Sequence, residues 1–136
     1  MNTSATSDSF LRRALRVDAI GCGLFAAAVA FVLLGPNSLM TQLDVPKGML
    51  IAVGVVALYG VPRLWSISKH RKISRVNAWT VVGANAAWAV MSCVAVFVGW
   101  IQPSTLGVIL IVTQGILTGV VAELEFIGLR RAGVAT

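Results

Sequence analysis

The sequence predicts an all-α integral membrane protein, a bundle of four helices that each cross the bilayer once. Its composition is 57% hydrophobic and 12% charged, against roughly 45–50% and about 25% in soluble domains. Long apolar runs account for most of the chain, and ten of its eleven Lys and Arg residues lie in three clusters between those runs. The clusters are Arg12/Arg13/Arg16, Arg63/Lys69/Arg71/Lys72/Arg75 and Arg130/Arg131.

The distribution of basic residues also predicts the orientation. If each apolar run crosses the membrane once, all three clusters lie on one side and only Lys47 lies on the other. Lys and Arg are enriched in cytoplasmic loops, so both termini are expected in the cytoplasm. The high sequence pI of about 10.4 is then explained by Lys and Arg residues that orient the bundle and attract anionic lipid headgroups. We expect no nucleic-acid binding.

The first helix is predicted at about 17–34, after a polar segment. Residues 1–9 are small and polar and predict a disordered tail, which leaves residues 10–136 as a single transmembrane domain. The positive flank before Val17 is also found in signal peptides. Gly35-Pro36 stands where a cleavage site would be needed, so we interpret this segment as a signal anchor.

The second span, at about 47–64, is the weakest of the four. Pro46 suits the start of a helix, because its missing N–H costs nothing there. Only 48–61 is free of charge and proline, whereas about twenty apolar residues cross a bilayer core. The side chain of Arg63 can extend to the headgroups, and Pro62 is expected to kink or end the helix.

The third and fourth spans are predicted at about 76–100 and 105–129. The connection between them, IQPST, is short and uncharged. The two helices should therefore form a tight antiparallel hairpin. The Arg130/Arg131 pair suits a helix C-terminus as well as a cytoplasmic face.

Three carboxylates lie at membrane depth, where ionisable groups are costly and often functional. Asp18, Glu123 and Glu125 all fall near the cytoplasmic ends of their spans, and Arg16 and Arg75 lie at a similar level. One interpretation is a layer of ion pairs and hydrogen bonds that locks the helix ends together. The other is a protonatable site that faces a cavity open to the cytoplasm. We favour the first.

Helical periodicity separates the two glutamates. Glu125 lies on the same face of the fourth span as Gln114 and Thr118, whereas Glu123 lies almost opposite. Glu125 is therefore expected in the bundle interior. Glu123 is expected to face a neighbouring helix or a second protomer.

Other polar and small residues predict helix packing. Asn85 lies near mid-bilayer and must find a partner, and Gln114 is expected to provide it at a gain of about 1 kcal/mol. The sequences from Gly115 to Gly119 and from Gly83 to Ala87 place small residues four apart, which lets helices approach closely. The first suits either the hairpin or a homodimer.

Catalytic, cofactor and metal sites are not predicted. The sequence lacks H-E-x-x-H, G-x-S-x-G, a phosphate-binding loop and CxxC. Cys22 and Cys93 should lie at different depths, too far apart for a disulfide. His70 is the one histidine, so a pair of axial haem ligands is unavailable within one chain. We therefore expect a protein without enzymatic activity.

Three segments resemble a family of small four-span bacterial inner-membrane proteins. They are Arg16-Val17-Asp18, Asn85-Ala86-Ala87-Trp88 and Ala122–Arg131. This chain has Glu125 and Phe126 where that family's pattern has Gln and Tyr. If an acid is dispensable at 125, a proton-coupling role passes to Glu123, and the resemblance leaves that alternative open. It implies the fold class and location, and no activity.

Two functions remain. The first is an accessory or scaffold subunit, or a homo-oligomer, that acts by association with itself or with a larger membrane protein. The second is a small proton- or ion-coupled transporter or channel that uses the intramembrane carboxylates. In both, the bilayer is the principal partner. The short loops and the missing enzyme motifs favour the first.

Overall fold

The computed structural model describes residues 3–70 and 72–132, and this part of the chain is helical and contains no strand. The elements are α1 (Thr3–Leu34), α2 (Asn37–Leu43), α3 (Lys47–Lys69), α4 (Arg75–Phe97) and α5 (Thr105–Arg131). Four of them contain segments long and apolar enough to cross a membrane: Ser9–Leu34, Lys47–Lys69, Arg75–Phe97 and Thr105–Arg131. The all-α class is confirmed, and each predicted span falls on one of these helices.

The first helix begins earlier than the sequence pattern suggested. Its start at Thr3 precedes the predicted start at Val17, so α1 includes most of the segment predicted as a disordered tail. Met1 and Asn2 lie outside the described residues. The part of α1 from Leu11 to Val17 has a packing reason: Leu11 and Leu15, one turn apart, are each 1% exposed and join the core formed with Leu129.

Two other boundaries differ from the prediction. α3 continues through Pro62 to Lys69, because Leu64 and Ile67 are buried in the core beyond the proline and hold the chain helical there. α4 ends at Phe97, three residues before the predicted Trp100. Gly99 stops it with a φ of +77°, a conformation that glycine adopts without steric cost.

The short helix α2 occupies the segment between the first two predicted spans. Asp44 ends it in the left-handed region, with φ 50°. The carbonyl of Leu43 accepts a hydrogen bond of 3.1 Å from the backbone N–H of Ser104, which ties α2 to the start of α5. At Gly107 an added Cβ would collide with that same Leu43 carbonyl, so only glycine permits this approach.

The bundle is organised around α1 and α5. α1 packs against α3 on one side and α5 on the other, and α4 packs against α5. At Gly128 an added Cβ would lie 3.0 Å from the Cα of Leu11, so the α1 and α5 backbones are very close. We call the end of the bundle that carries Arg12, Lys69 and Arg130 the basic end, and the other the α2 end.

The outer surface of the four long helices is strongly apolar. Large side chains such as Leu24 (68% exposed), Phe31 (68%) and Leu58 (63%) face away from the bundle. A soluble monomer rarely exposes contiguous apolar area on this scale, whereas lipid would solvate it. The structure therefore agrees with a multi-pass membrane protein.

Candidate functional site

Three polar side chains from three helices meet inside the bundle. The Nδ2 atom of Asn85 on α4 donates to Asp18 Oδ2 on α1 at 2.7 Å and to Glu125 Oε2 on α5 at 3.0 Å. An amide nitrogen carries two protons, so Asn85 can serve both acceptors at once. We call Asp18, Asn85 and Glu125 the carboxylate cluster.

Helical periodicity places these side chains on the buried faces of α1 and α5. On α1, Asp18 follows Leu11 and Leu15 on the buried face, since positions three, four and seven apart share one side of a helix. On α5, Glu125 lies between the buried residues Ala122 and Gly128. The exposed fractions are 6% for Asp18 and 0% for Glu125.

The cluster has more acceptors than donors. Glu125 Oε1 is buried and has no hydrogen-bond partner among the residues that the structure describes. Asp18 Oδ1 accepts a hydrogen bond from the Cys22 thiol, which is a weak donor, at a sulfur–oxygen distance of 3.9 Å. Two carboxyl groups therefore share one amide nitrogen and one thiol, which leaves room for an additional proton at the site.

The arginines predicted as partners lie elsewhere. Arg16 and Arg75 are exposed, and the described hydrogen bonds of Asp18 come from Asn85 and Cys22 instead. Arg16 is two residues from Asp18, so it lies on a different face of α1. Arg75 begins α4, roughly 15 Å along the helix from Asn85 at about 1.5 Å per residue.

Basic residues nevertheless hold the end of the bundle together. Arg12 Nη1 donates to the backbone carbonyls of Ser68 at 2.8 Å and His70 at 2.6 Å, at the C-terminus of α3. A cation at a helix C-terminus satisfies free carbonyls and favours the helix dipole. The guanidinium of Arg131 on α5 lies 5.5 Å from the ring centroid of Phe10 on α1.

The two glutamates of α5 face different surroundings, on the separate faces that helical periodicity predicted. Glu125 is buried, whereas Glu123 is exposed on the outside of the bundle. There it borders a shallow groove between α4 and α5. The groove residues are Val82, Ala86, Ala89, Val90, Gly119, Ala122, Glu123 and Phe126.

The predicted Asn85–Gln114 pair finds different partners in the structure. Asn85 donates to the two carboxylates, and Gln114 Nε2 donates to Thr118 Oγ1 at 3.0 Å on its own helix. The reason is depth: eleven residues separate Gln114 from Glu125 on α5, about three turns, and Asn85 is level with Glu125.

The predicted small-residue motif packs the hairpin. A Cβ at Gly115 would lie 3.2 Å from Ser92 Cβ, and one at Gly119 would lie 3.6 Å from Ala89 Cβ. Both neighbours are on α4. The sequence left open whether these glycines pack the hairpin or a homodimer, and in the structure they pack the hairpin.

A separate cavity of about 470 Å³ lies toward the α2 end. Its walls are almost wholly apolar and include Phe25 and Leu50, with Trp88 and Gln114 at the inner side. Trp88 is one helical turn from Asn85 on α4. The cavity therefore approaches the carboxylate cluster from the side opposite the basic end.

The sequence did not predict that Asn85 bridges the two acids. The predicted depths did not indicate this contact, because Asn85 was placed near mid-bilayer and the two acids near the cytoplasmic ends of their spans. Within residues 3–70 and 72–132, no group of three or more His, Cys, Asp or Glu side chains is placed to hold a metal ion. Comparison with protein-family models, with curated proteins and with solved structures finds no match for this chain.

Proposed function

We propose that this chain is a multi-pass protein of the bacterial inner membrane, with both termini in the cytoplasm. The arrangement that supports this is the basic end, where the N-terminal part of α1 and the C-terminal part of α5 meet the α3–α4 connection. Lys and Arg at one end of a bundle are typical of the cytoplasmic side. The proposed activity is not enzymatic.

We further propose that the carboxylate cluster binds and releases a proton, and that the protein is a small proton-coupled transporter. One observation carries the proposal: Asp18 and Glu125 are both buried and share the single amide nitrogen of Asn85. Two negative charges in so dry a site would repel each other strongly. One added proton removes half of that charge and supplies a donor for the unpartnered oxygen of Glu125.

A proton fits this site better than a larger cation. Hard divalent metal ions take six or more oxygen ligands, and the cluster offers two carboxylates and the carbonyl of one amide. A proton needs only two facing oxygens. Carboxylates inside membrane bundles commonly serve as proton relays.

The position of the cluster suits coupled transport. It lies between the basic end and the apolar cavity at the α2 end, about one turn from Trp88. A protonation change at the cluster would therefore act on the inner wall of that cavity. A neutral, mainly apolar compound is the class of substrate that such walls accommodate.

The first test is infrared spectroscopy of the protein in lipid. A protonated carboxylic acid in the cluster gives a C=O band that shifts in deuterated buffer. We expect that band in the native protein and its loss in both Asp18→Asn and Glu125→Gln. Asp44→Asn is the matched control, since Asp44 is an exposed carboxylate at the end of α2, and it should keep the band.

The second test is proton uptake into proteoliposomes that contain a pH-sensitive dye. Native protein and Asp44→Asn should dissipate an imposed pH gradient, in the presence of candidate apolar substrates, faster than Asp18→Asn and Glu125→Gln. If the acid band is absent and all four proteins give the flux of empty liposomes, the proton-coupled function is wrong.

A second candidate function is self-association or accessory binding within the membrane. It is supported by Glu123, whose carboxylate is exposed at membrane depth on the outside of the bundle. An ionisable group in contact with lipid hydrocarbon is unfavourable. A protein partner that covers Glu123 would remove this cost. Purification in lipid, followed by mass measurement of the particle, tests whether any partner is present.

A further inference from the structure

We propose that two copies of this chain form a symmetric dimer in which Glu123 of each copy pairs with Arg63 of the other. The inference rests on the second candidate function, because it names the partner and the surface. It is independent of the proton-coupled function.

The groove between α4 and α5 has the shape of a helix-packing site. Ala86, Ala89, Gly119 and Ala122 line it, and small residues let a neighbouring helix approach closely. Its volume is about 420 Å³. Glu123 borders it and brings a negative charge to an otherwise apolar surface.

The exposed face of α3 has the complementary shape and charge. Val56 (58% exposed) and Tyr59 (65% exposed) lie on one side of the helix together with the exposed Arg63. Spacings of three and four residues place these side chains in a ridge. Ala57 and Leu64, on the adjoining side of α3, are buried against the bundle.

The two charges lie at nearly the same depth. Gly60 packs against Cys22 of α1, so Arg63, about one turn closer to the basic end, is level with Asp18. Glu123 is two residues from Glu125, which Asn85 links to Asp18. Both charges therefore lie within about one helical turn of the level of Asp18.

Direction and register agree as well. α3 and α5 both run from the α2 end to the basic end, and they stay parallel in a dimer whose two-fold axis is normal to the membrane. Four residues separate Tyr59 from Arg63, and four separate Gly119 from Glu123. With Arg63 beside Glu123, the bulky Tyr59 ring lies over Gly119, and the symmetry repeats both contacts.

Charge reversal tests this pairing. Glu123→Arg and Arg63→Glu should each lower the dimer association constant about tenfold or more, measured by energy transfer between labelled copies at varied protein-to-lipid ratios. The double variant should restore association to within about threefold of native. Asp44→Arg and Arg13→Glu reverse exposed charges outside the interface, and their association constants should match the native protein.

A cross-linking measurement locates the contact. In a background without Cys22 and Cys93, a copy with Tyr59→Cys is mixed in lipid with a differently tagged copy carrying Gly119→Cys. Oxidation should produce a mixed disulfide, since the proposed packing brings these Cα atoms near the distance that a disulfide spans. Neither copy alone should cross-link to itself.

The outcomes separate the interface from self-association in general. A dimer that is unaffected by either charge reversal, with no mixed disulfide, overturns this interface and leaves the second candidate function standing. A monomer at every lipid ratio overturns both, and lipid alone then covers Glu123. A stable complex with a different protein, and no dimer, also overturns the pairing.

Discussion

Replacement of Asn85 by alanine is the sharpest test of the carboxylate cluster. The variant removes the one amide that reaches both Asp18 and Glu125, and it leaves the backbone of α4 unchanged. Asn77→Ala is the matched control, since Asn77 is an exposed asparagine on the same helix. Both substitutions remove one amide side chain, so the difference between their effects on the free energy of unfolding gives the contribution of the cluster.

The magnitude follows from the two hydrogen bonds of 2.7 and 3.0 Å. Hydrogen bonds between membrane helices contribute about 0.6 kcal/mol on average and up to about 1.7 kcal/mol. Two bonds to acids, with two acceptors then left buried without a donor, place the loss at about 2–4 kcal/mol. Asn77→Ala should change the free energy of unfolding by less than about 0.5 kcal/mol.

Equilibrium unfolding in mixed micelles, with a denaturing detergent as the variable and helicity as the signal, measures both free energies. In a chain that also carries Asp18→Leu and Glu125→Leu, Asn85→Ala should lower the free energy of unfolding by only about as much as Asn77→Ala does. If Asn85→Ala and Asn77→Ala differ by less than about 0.5 kcal/mol in the native background, Asn85 does not bridge the acids.

Two further predictions use the same unfolding measurement. Gly128→Ala should destabilise the protein by about 1–3 kcal/mol, because the new Cβ would lie 3.0 Å from the backbone of α1. Gly83→Ala is the control, since among the described residues no atom of another helix lies within 4 Å of a Cβ there, and it should stabilise α4 by up to about 1 kcal/mol. Equal changes in the free energy of unfolding would contradict the close approach at Gly128. Arg12→Met should cost about 1–2 kcal/mol, because the last carbonyls of α3 lose their donor, whereas Arg13→Met on the exposed face should cost less than about 0.5 kcal/mol.

The architecture could be predicted from the sequence because the patterns that determine it extend over many residues. Four apolar runs and the clustering of basic residues determine which segments are helical, and tertiary contacts shift only the ends. The early start of α1 was missed because its buried positions, Leu11 and Leu15, are interspersed with arginines and lower the local hydropathy. α2 was missed because its stability depends on contacts with the start of α5, which no local pattern encodes.

The site was accessible only in part. Periodicity separated Glu125 from Glu123, since that argument uses angles within one helix. The partner of Glu125 depends on how α4 is displaced along α5, and a displacement of about three turns decides whether Asn85 meets Gln114 or Glu125. The described hydrogen bonds of Asp18 come from Asn85 and Cys22. The arginines nearby in the sequence did not indicate these partners, because proximity in sequence says little about which face of a helix a side chain occupies.

The cluster has a consequence for how the protein is made. Asp18 and Asn85 are separated by 67 residues along the chain, which take roughly 3–13 s to synthesise at about 5–20 residues per second. During that interval the first helix must reside in the membrane, or wait at the insertion machinery, while Asp18 lacks the hydrogen bond from Asn85. Release of α1 into lipid is thus most favourable after the second hairpin has emerged, which couples the insertion of the two halves of the bundle.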